Sequence, residues 1–268
     1  MKRMGANAGA PREDRPSLGG ILAEPFQYLS RGGKLRVYAS ADGRYVLKVP
    51  TTPAEIVAWH ESDGVRLTEL AWARGLGSDD LAIARRILDG GIESYRLAAS
   101  RLWREAGLVH VHLPPYEDLE ARVVVSDETA PVDLSRSPFI VQHRAELLGR
   151  RIERLHATGD LEGCRACLDD LVRLIERIWA KGIAEHTLNF HNNTGYAARC
   201  LILLDVGELE ESRGRVLAHA RDEKILHKKS QAWLARRFPG LADDLASRIR
   251  LRLNPDAVER LWLAAGRG

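Results

Sequence analysis

Hydrophobic and polar positions follow two different periods along this chain. In the first half the period is often two. Residues 26–49, FQYLSRGGKLRVYASADGRYVLKV, alternate clearly over Leu35-Arg36-Val37-Tyr38 and again over Tyr45 to Val49. Asp42-Gly43 between these runs is a hairpin signal, and Arg31-Gly32-Gly33-Lys34 is a second turn, so a three-stranded meander is predicted. Strand-like runs return at Leu108–Leu113, Arg122–Val125 and Pro138–Gln142, the last expected at the edge of the sheet. Between meander and later strands, Ile92, Tyr95, Leu97, Ala98 and Leu102 repeat at helical spacing and predict a helix over 86–106. Gly90-Gly91 would break its start and Gly107 would stop it. Residues 50–85, opened by Pro50 and Pro53, are expected to be short helices and turns inserted ahead of that helix.

From residue 143 onward the period is helical. Two helices are predicted in 143–180. The second, Cys164 to Ala180, repeats Cys167, Leu168, Leu171, Leu174, Ile175, Ile178 and Trp179 at three and four. A polar loop follows, His186 to Asn193, then a short hairpin with Leu201–Leu204 as its apolar second strand. That strand ends at Asp205, with Gly207 two residues on. Residues 208–268 begin acidic, with Glu208, Glu210 and Glu211, and continue as helical segments punctuated by Pro239-Gly240 and Asn254-Pro255. An antiparallel sheet followed by helices makes an α+β protein. Residues 1–20, rich in Gly, Ala, Pro and charge, read as a flexible tail.

Composition narrows the classes. A chain of 268 residues with 45% hydrophobic and 29% charged residues can bury a large core. Its 40 basic and 37 acidic residues nearly cancel, so charge gives no support to a nucleic-acid partner. No apolar run approaches the roughly 20 residues of a membrane span, and no signal-peptide core opens the chain. Three cysteines do not make a disulfide framework at this length. A cytoplasmic protein without a membrane partner is the expectation.

Two groupings suggest metal chemistry. His110 and His112 share one face of a strand. Cys164, Cys167, His186 and His191 mimic a Cys2His2 zinc spacing. Both cysteines, however, sit on the apolar face of a predicted helix that would carry the chain roughly 25 Å before the histidines appear. More informative is 181–209, KGIAEHTLNFHNNTGYAARCLILLDVGEL. An apolar strand that delivers one carboxylate into a Gly-containing turn, with a loop amide a dozen residues earlier, is a plausible metal-phosphate site.

This stretch resembles the catalytic loop and metal-binding turn of the protein-kinase-like superfamily: helix, "RGI", His-Arg-Asp, four residues, Asn, hairpin, then Asp-Phe-Gly. Aligned without gaps, His186 falls at the motif's His, Asn193 at its Asn, and Asp205-Val206-Gly207 at its Asp-Phe-Gly. Leu188 falls where the catalytic Asp belongs. The meander resembles the opening of a kinase N-lobe, with Gly32 and Gly33 in the loop and Lys48 in a "VLKV" strand. No counterpart of the segment that closes a protein-kinase activation loop is found.

The resemblance implies a two-lobed fold, with a sheet-based N-lobe over 21–142 and a short, mostly helical C-lobe over 143–268 that carries a catalytic-like loop at 185–207. It implies ATP and Mg²⁺ as ligands. Lys48 would contact phosphates, and Glu93 would hold Lys48, with Glu105 as the alternative. Asn193 and Asp205 would bind metal, with Asn189 and Asn192 competing for the amide's role. Gly207 would shape the metal turn, and Gln142 to Ala145 would run behind the adenine. His186 matches a residue that is usually structural. Without an Asp at 188, Glu185, His186 and His191 are the substitutes within reach as a base. Two functions follow: a phosphotransferase on a small molecule or an unidentified substrate, or a pseudokinase that binds nucleotide or a partner without catalysis.

Overall fold

The computed structural model describes residues 17–32, 34–62, 66–67, 79–116, 119, 121–125 and 132–265. The chain is a mixed α+β protein, as its two periodicities predict. Its main sheet has five antiparallel strands in the order β1-β2-β3-β7-β4: β1 Phe26–Arg31, β2 Leu35–Ser40, β3 Tyr45–Pro50, β7 Phe139–His143 and β4 Leu108–His112. The meander forms with its tight turn at Asp42-Gly43, where Gly43 takes φ +70°. Asp42 Oδ1 fixes that turn by accepting from Ser40 Oγ at 2.6 Å and Arg44 N at 2.9 Å. The Ser40 hydroxyl and the Arg44 amide together lower its pKa to about 2.

β7 is not an edge strand. It pairs with β3 on one side and β4 on the other, because the loop after the long helix returns β4 beyond it. β5 Arg122–Val123 and β6 Val132–Asp133 form a separate two-stranded sheet beside β1. Residues 1–16 of the predicted tail lie outside the described residues. Residues 17–20 are ordered: Ser17 caps a short helix α1, Leu18–Leu22, whose Ile21 and Leu22 are buried against Phe26, Leu47 and Val141.

Within the 50–85 segment a helix α2 spans Pro53–Ser62. The long helix α3 then runs Asp80–Arg101, six residues earlier than expected at its start, with Asp79 Oδ1 accepting from Ala82 N at 2.7 Å as its cap. It passes through Gly90-Gly91 without a break, because Gly91 is buried against the Tyr95 ring and tertiary packing outweighs the propensity cost of about 1 kcal/mol. The helix ends before Leu102. Gly107 then takes φ +56°, which favours glycine, and a Cβ there would stand 2.6 Å from Ile202 Cδ1 and make that side chain shift.

The second half carries β8 Glu146–Leu147, α4 Leu148–Ala157, α5 Leu161–Ala180, β9 Ile183–Glu185, the single turn α6 Phe190–Asn193, the hairpin β10 Thr194–Ala197 with β11 Cys200–Leu203, and β12 Leu209–Glu211 paired with β9. Helices α7 Arg213–Arg221, α8 Lys229–Arg237, α9 Pro239–Arg252 and α10 Pro255–Ala265 complete it. α5 is buried along the face its spacing predicts, from Cys164 to Trp179. One buried cluster joins Tyr95 and Ala98 of α3, and Leu102 just past its end, to α5, to Leu188 and Phe190, and to Val206. A core shared this way fixes α3, the 185–193 loop and the Asp205 turn against one another. No described helix is long and apolar enough to cross a membrane.

Candidate functional site

Lys48 leaves β3, which pairs with β2 on one side and β7 on the other. Its side chain is buried and its Nζ donates to Leu204 O at 2.6 Å, spanning 156 residues of sequence. Burial pulls its pKa down to about 8, and the nearby Asp205 carboxylate opposes that fall. Asp205 follows β11. Its Oδ1 accepts from Gly207 N at 3.0 Å, which closes the turn at Asp205-Val206-Gly207. A Cβ on Gly207 would lie 3.3 Å from that oxygen and 3.4 Å from the Tyr95 hydroxyl.

These groups line one cleft of about 490 Å³. Lys48 and Leu35 come from the sheet, Gly32 and Lys34 from the loop between β1 and β2, Tyr95 from α3, Asn192 and Asn193 from α6, and Leu204, Asp205 and Glu208 from the turn after β11. The structure therefore brings Gly32, Lys48, Asn193 and Asp205 together. Gly33 lies outside the described residues.

α3 grips the Asp205 turn by two residues the sequence did not flag. Ser94 Oγ donates to Val206 O at 2.7 Å and accepts from Leu209 N at 2.6 Å. Tyr95 stacks its hydroxyl end over Gly207, and burial, then the Asp205 and Glu208 charges, raise its pKa far above that of a free phenol. Both were hidden in the helical run, where Tyr95 counted as an apolar-face residue.

Glu93 is not brought to Lys48. It lies on the outer side of α3 and pairs with Arg96 one turn along. Glu105 is turned away as well, bonded to Lys181 Nζ at 2.7 Å. The reason is rotational. Position 94 of α3 faces the Asp205 turn, which puts position 93 a hundred degrees round on the solvent side. Gln142 is fully buried, and its Nε2 donates to Leu203 O at 2.9 Å and to Ala106 O. The next two amides are also committed: His143 N to Gly107 O at 3.0 Å and Arg144 N to Arg44 O at 2.9 Å. They are not free to donate to a base, so Gln142 ties β7 to β11 rather than lining the cleft.

The 185–193 loop forms a closed hydrogen-bond network. Glu185 is 3% exposed; its Oε1 accepts from Thr187 N at 3.0 Å and from Thr187 Oγ1, and its Oε2 accepts from Leu188 N. Burial raises its pKa to about 7 against those bonds, with the Asp205 charge adding to the rise. Thr187 Oγ1 also accepts from Asn193 Nδ2 at 2.9 Å, and Asn193 O accepts from Leu204 N at 2.7 Å. Leu188 is 1% exposed, packed in the main core, and takes φ +47°.

His186 is held by its surroundings: its amide donates to Glu208 O at 3.1 Å and its Nε2 lies 3.1 Å from Glu210 Oε2. His191 stacks on Trp233 at 4.9 Å, and burial lowers its pKa. Asn189 lies back from the cleft with a buried side-chain oxygen, while Asn192 lines it.

With its Nδ2 on Thr187, Asn193 keeps its amide oxygen as an acceptor, and it lines the same cleft as Asp205. Two hard oxygen donors suit Mg²⁺ and leave room for phosphate oxygens and water. The zinc grouping does not form. Cys164 and Cys167 are buried in α5, and among the described residues no group of three His, Cys, Asp or Glu side chains is placed to hold a metal. His110 and His112 stack on each other and pack at a tilt against Phe139, with His112 Nε2 3.0 Å from Ser135 O.

No protein-family model matches the chain, and no curated protein does. Among solved structures, a chain described as a co-crystal structure of WbdD and the kinase inhibitor LY294002 aligns at 11% identity and a TM-score of 0.36. The alignment covers 83% of this chain and 44% of that one, so it spans less than half of the longer protein. At that TM-score the likeness bears on neither the fold nor the chemistry of this chain.

Proposed function

We propose that the protein has a kinase-like, two-lobed fold and binds ATP with Mg²⁺ in this cleft, transferring the terminal phosphoryl group to a small-molecule hydroxyl. The observation that carries the reading is the meeting of Lys48 with Asp205 and Asn193 around one cleft, from segments more than 140 residues apart in sequence. Lys48 supplies a cation to phosphate oxygens. Asp205 and Asn193 hold the metal, and Gly207 lets the turn close. Bound Mg²⁺ would neutralise the phosphate charge that builds during transfer. The missing closing segment argues for a small acceptor over a docked protein.

One observation favours binding without transfer: the position of the catalytic carboxylate is taken by Leu188, whose side chain is packed in the core. General-base assistance is worth roughly 10²–10⁴-fold, so its loss slows transfer without abolishing it.

Thermal-shift titration with ATP and Mg²⁺ tests the site. The native chain is expected to be stabilised only when both are present, and Asp205→Ala to lose that response. No shift in the native chain rules out both nucleotide readings. Release or transfer of labelled phosphate from ATP then separates enzyme from pseudokinase.

A further inference from the structure

We propose that Lys34 is the cleft's second phosphate-binding cation, and that Glu208 is the counter-ion that holds it until phosphates take its place. This rests on the nucleotide reading above.

Lys34 directly follows the glycine pair in the loop between β1 and β2. Its Nζ lies 2.6 Å from Glu208 Oε1, three residues past Asp205, and both side chains are about a third exposed, at 33% and 37%. Both line the cleft with Lys48 and Asp205. The ion pair thus joins the loop to the metal turn across the cleft's polar end.

The backbone amide of Gly32 leaves room for a side chain to act there. A glycine loop normally cradles phosphates with its amides. Here Gly32 N is already spent on Leu35 O at 2.9 Å, which tightens the turn. Lys34 O in turn accepts from Thr51 N at 3.0 Å, so the backbone at 34 is tied to the exit of β3 while the side chain stays free to move. Arg31 also lines the cleft, but its guanidinium donates to Glu55 O at 2.9 Å, outside it. Among the described lining residues, that leaves Lys34 and Lys48 as the lysines of the cleft, with the carboxylates of Asp205 and Glu208.

A metal-bound triphosphate brings several negative charges to a cleft lined by the cations Arg31, Lys34 and Lys48 and the carboxylates Asp205 and Glu208. A part-exposed ion pair is weak enough to exchange partners. Exchange gives the terminal phosphates a charge-assisted hydrogen bond and releases Glu208 to solvent. A nucleoside or monophosphate would leave the Lys34–Glu208 pair in place. Lys34 is therefore a specificity residue for the number of phosphates.

Isothermal titration of Mg·ATP, AMP and adenosine against the full chain, Lys34→Gln and Glu208→Gln tests this. Melting curves without ligand check that each variant folds. Lys34→Gln is expected to weaken Mg·ATP about tenfold while AMP and adenosine change less than about twofold. Glu208→Gln is expected to tighten Mg·ATP roughly threefold. An unchanged ratio of ATP to adenosine affinity in Lys34→Gln overturns the proposal. So does weaker Mg·ATP binding in Glu208→Gln, which would make Glu208 a metal ligand. If the native chain binds Mg·ATP and loses it in Asp205→Ala, but ignores Lys34→Gln, only this inference fails. If no form binds, the nucleotide reading fails and takes this one with it.

Discussion

On the sheet side of the cleft, Lys48 leaves β3 and spends its ammonium on a carbonyl of the opposite wall, Leu204 O. On the loop side, Glu185 spends its carboxylate on its own loop, on Thr187 and Leu188. Both groups are buried and both have pKa values pushed toward neutrality by that burial, Lys48 down to about 8 and Glu185 up to about 7. The cation still lines the cleft; the carboxylate does not. The difference separates two tasks. The side chains that would hold phosphate and metal face the cleft, whereas the carboxylate nearest the expected base is enclosed in the loop's own scaffolding, and Leu188 is packed beneath it.

The harshest way to break this contrast is to put a carboxylate where the resemblance expects one. Leu188 is 1% exposed, so Leu188→Asp loses an apolar core contact and buries a charge without a cationic partner. A loss of about 4 kcal/mol in denaturant-unfolding stability is expected, with no gain in phosphoryl transfer. Aspartate tolerates positive φ better than leucine, so backbone relief recovers only a small part. A stable, faster variant would mean that the loop can present position 188 to the cleft.

On the sheet side the expected effect divides between binding and stability. Lys48→Met removes a buried charge but keeps most of the volume. The cost of burying the ammonium disappears, while Leu204 O loses its donor; the two nearly offset, leaving stability within about 1 kcal/mol of the native chain. Mg·ATP binding is expected to fall by about 3 kcal/mol, roughly 100-fold, by calorimetry. Equal losses in both would make Lys48 a structural residue.

The loop side is expected to respond to pH. Glu185 has its pKa raised from 4.5 to about 7 in the folded chain. Between those values the unfolded chain has released the proton that the folded chain still holds. Stability from this group is complete below pH 4.5 and is lost as pH rises through about 7, by roughly 2–3 kcal/mol. Unfolding free energies across pH 4.5–7.5 should show that decline in the native chain, and Glu185→Gln should flatten it. A slope that survives in the variant assigns it to another group.

Much of this was legible in the sequence. Alternation with Asp42-Gly43 specified the meander, and the apolar stripe of α5 specified a buried helix, because each is a local period with a local signal. The convergence of Lys48 with the Asp205 turn was legible only through motif resemblance, since no local pattern encodes a contact such as Lys48 to Leu204, across 156 residues. What escaped was rotation and order. Which residue of α3 meets the Asp205 turn depends on how the helix is rotated in its packing, and that decided for Ser94 and Tyr95 over Glu93. The interior place of β7 depends on where β4 returns, which strand propensity does not specify.

The mildest test joins the two sides through one hydroxyl. Thr187 Oγ1 donates to Glu185 and accepts from Asn193 Nδ2 at 2.9 Å, so it links the enclosed carboxylate to the amide beside Asp205. Thr187→Val keeps the shape and removes both bonds. The loss in stability should be about 1 kcal/mol, because the site is partly exposed and water can satisfy the freed Asn193 amine. The informative readout is the Mg²⁺ dependence of ATP binding. If Thr187 orients the Asn193 amide oxygen, the Mg²⁺ concentration for half-maximal stabilisation should rise by about tenfold, the lower end for lost outer-shell partners of a metal. If Thr187 only braces the loop, melting temperature falls and the Mg²⁺ requirement stays put. Pairing the variant with Asn193→Ala separates these cases further. An orienting threonine has nothing left to orient in the double variant, so its effect on Mg²⁺ should vanish there while its effect on stability persists.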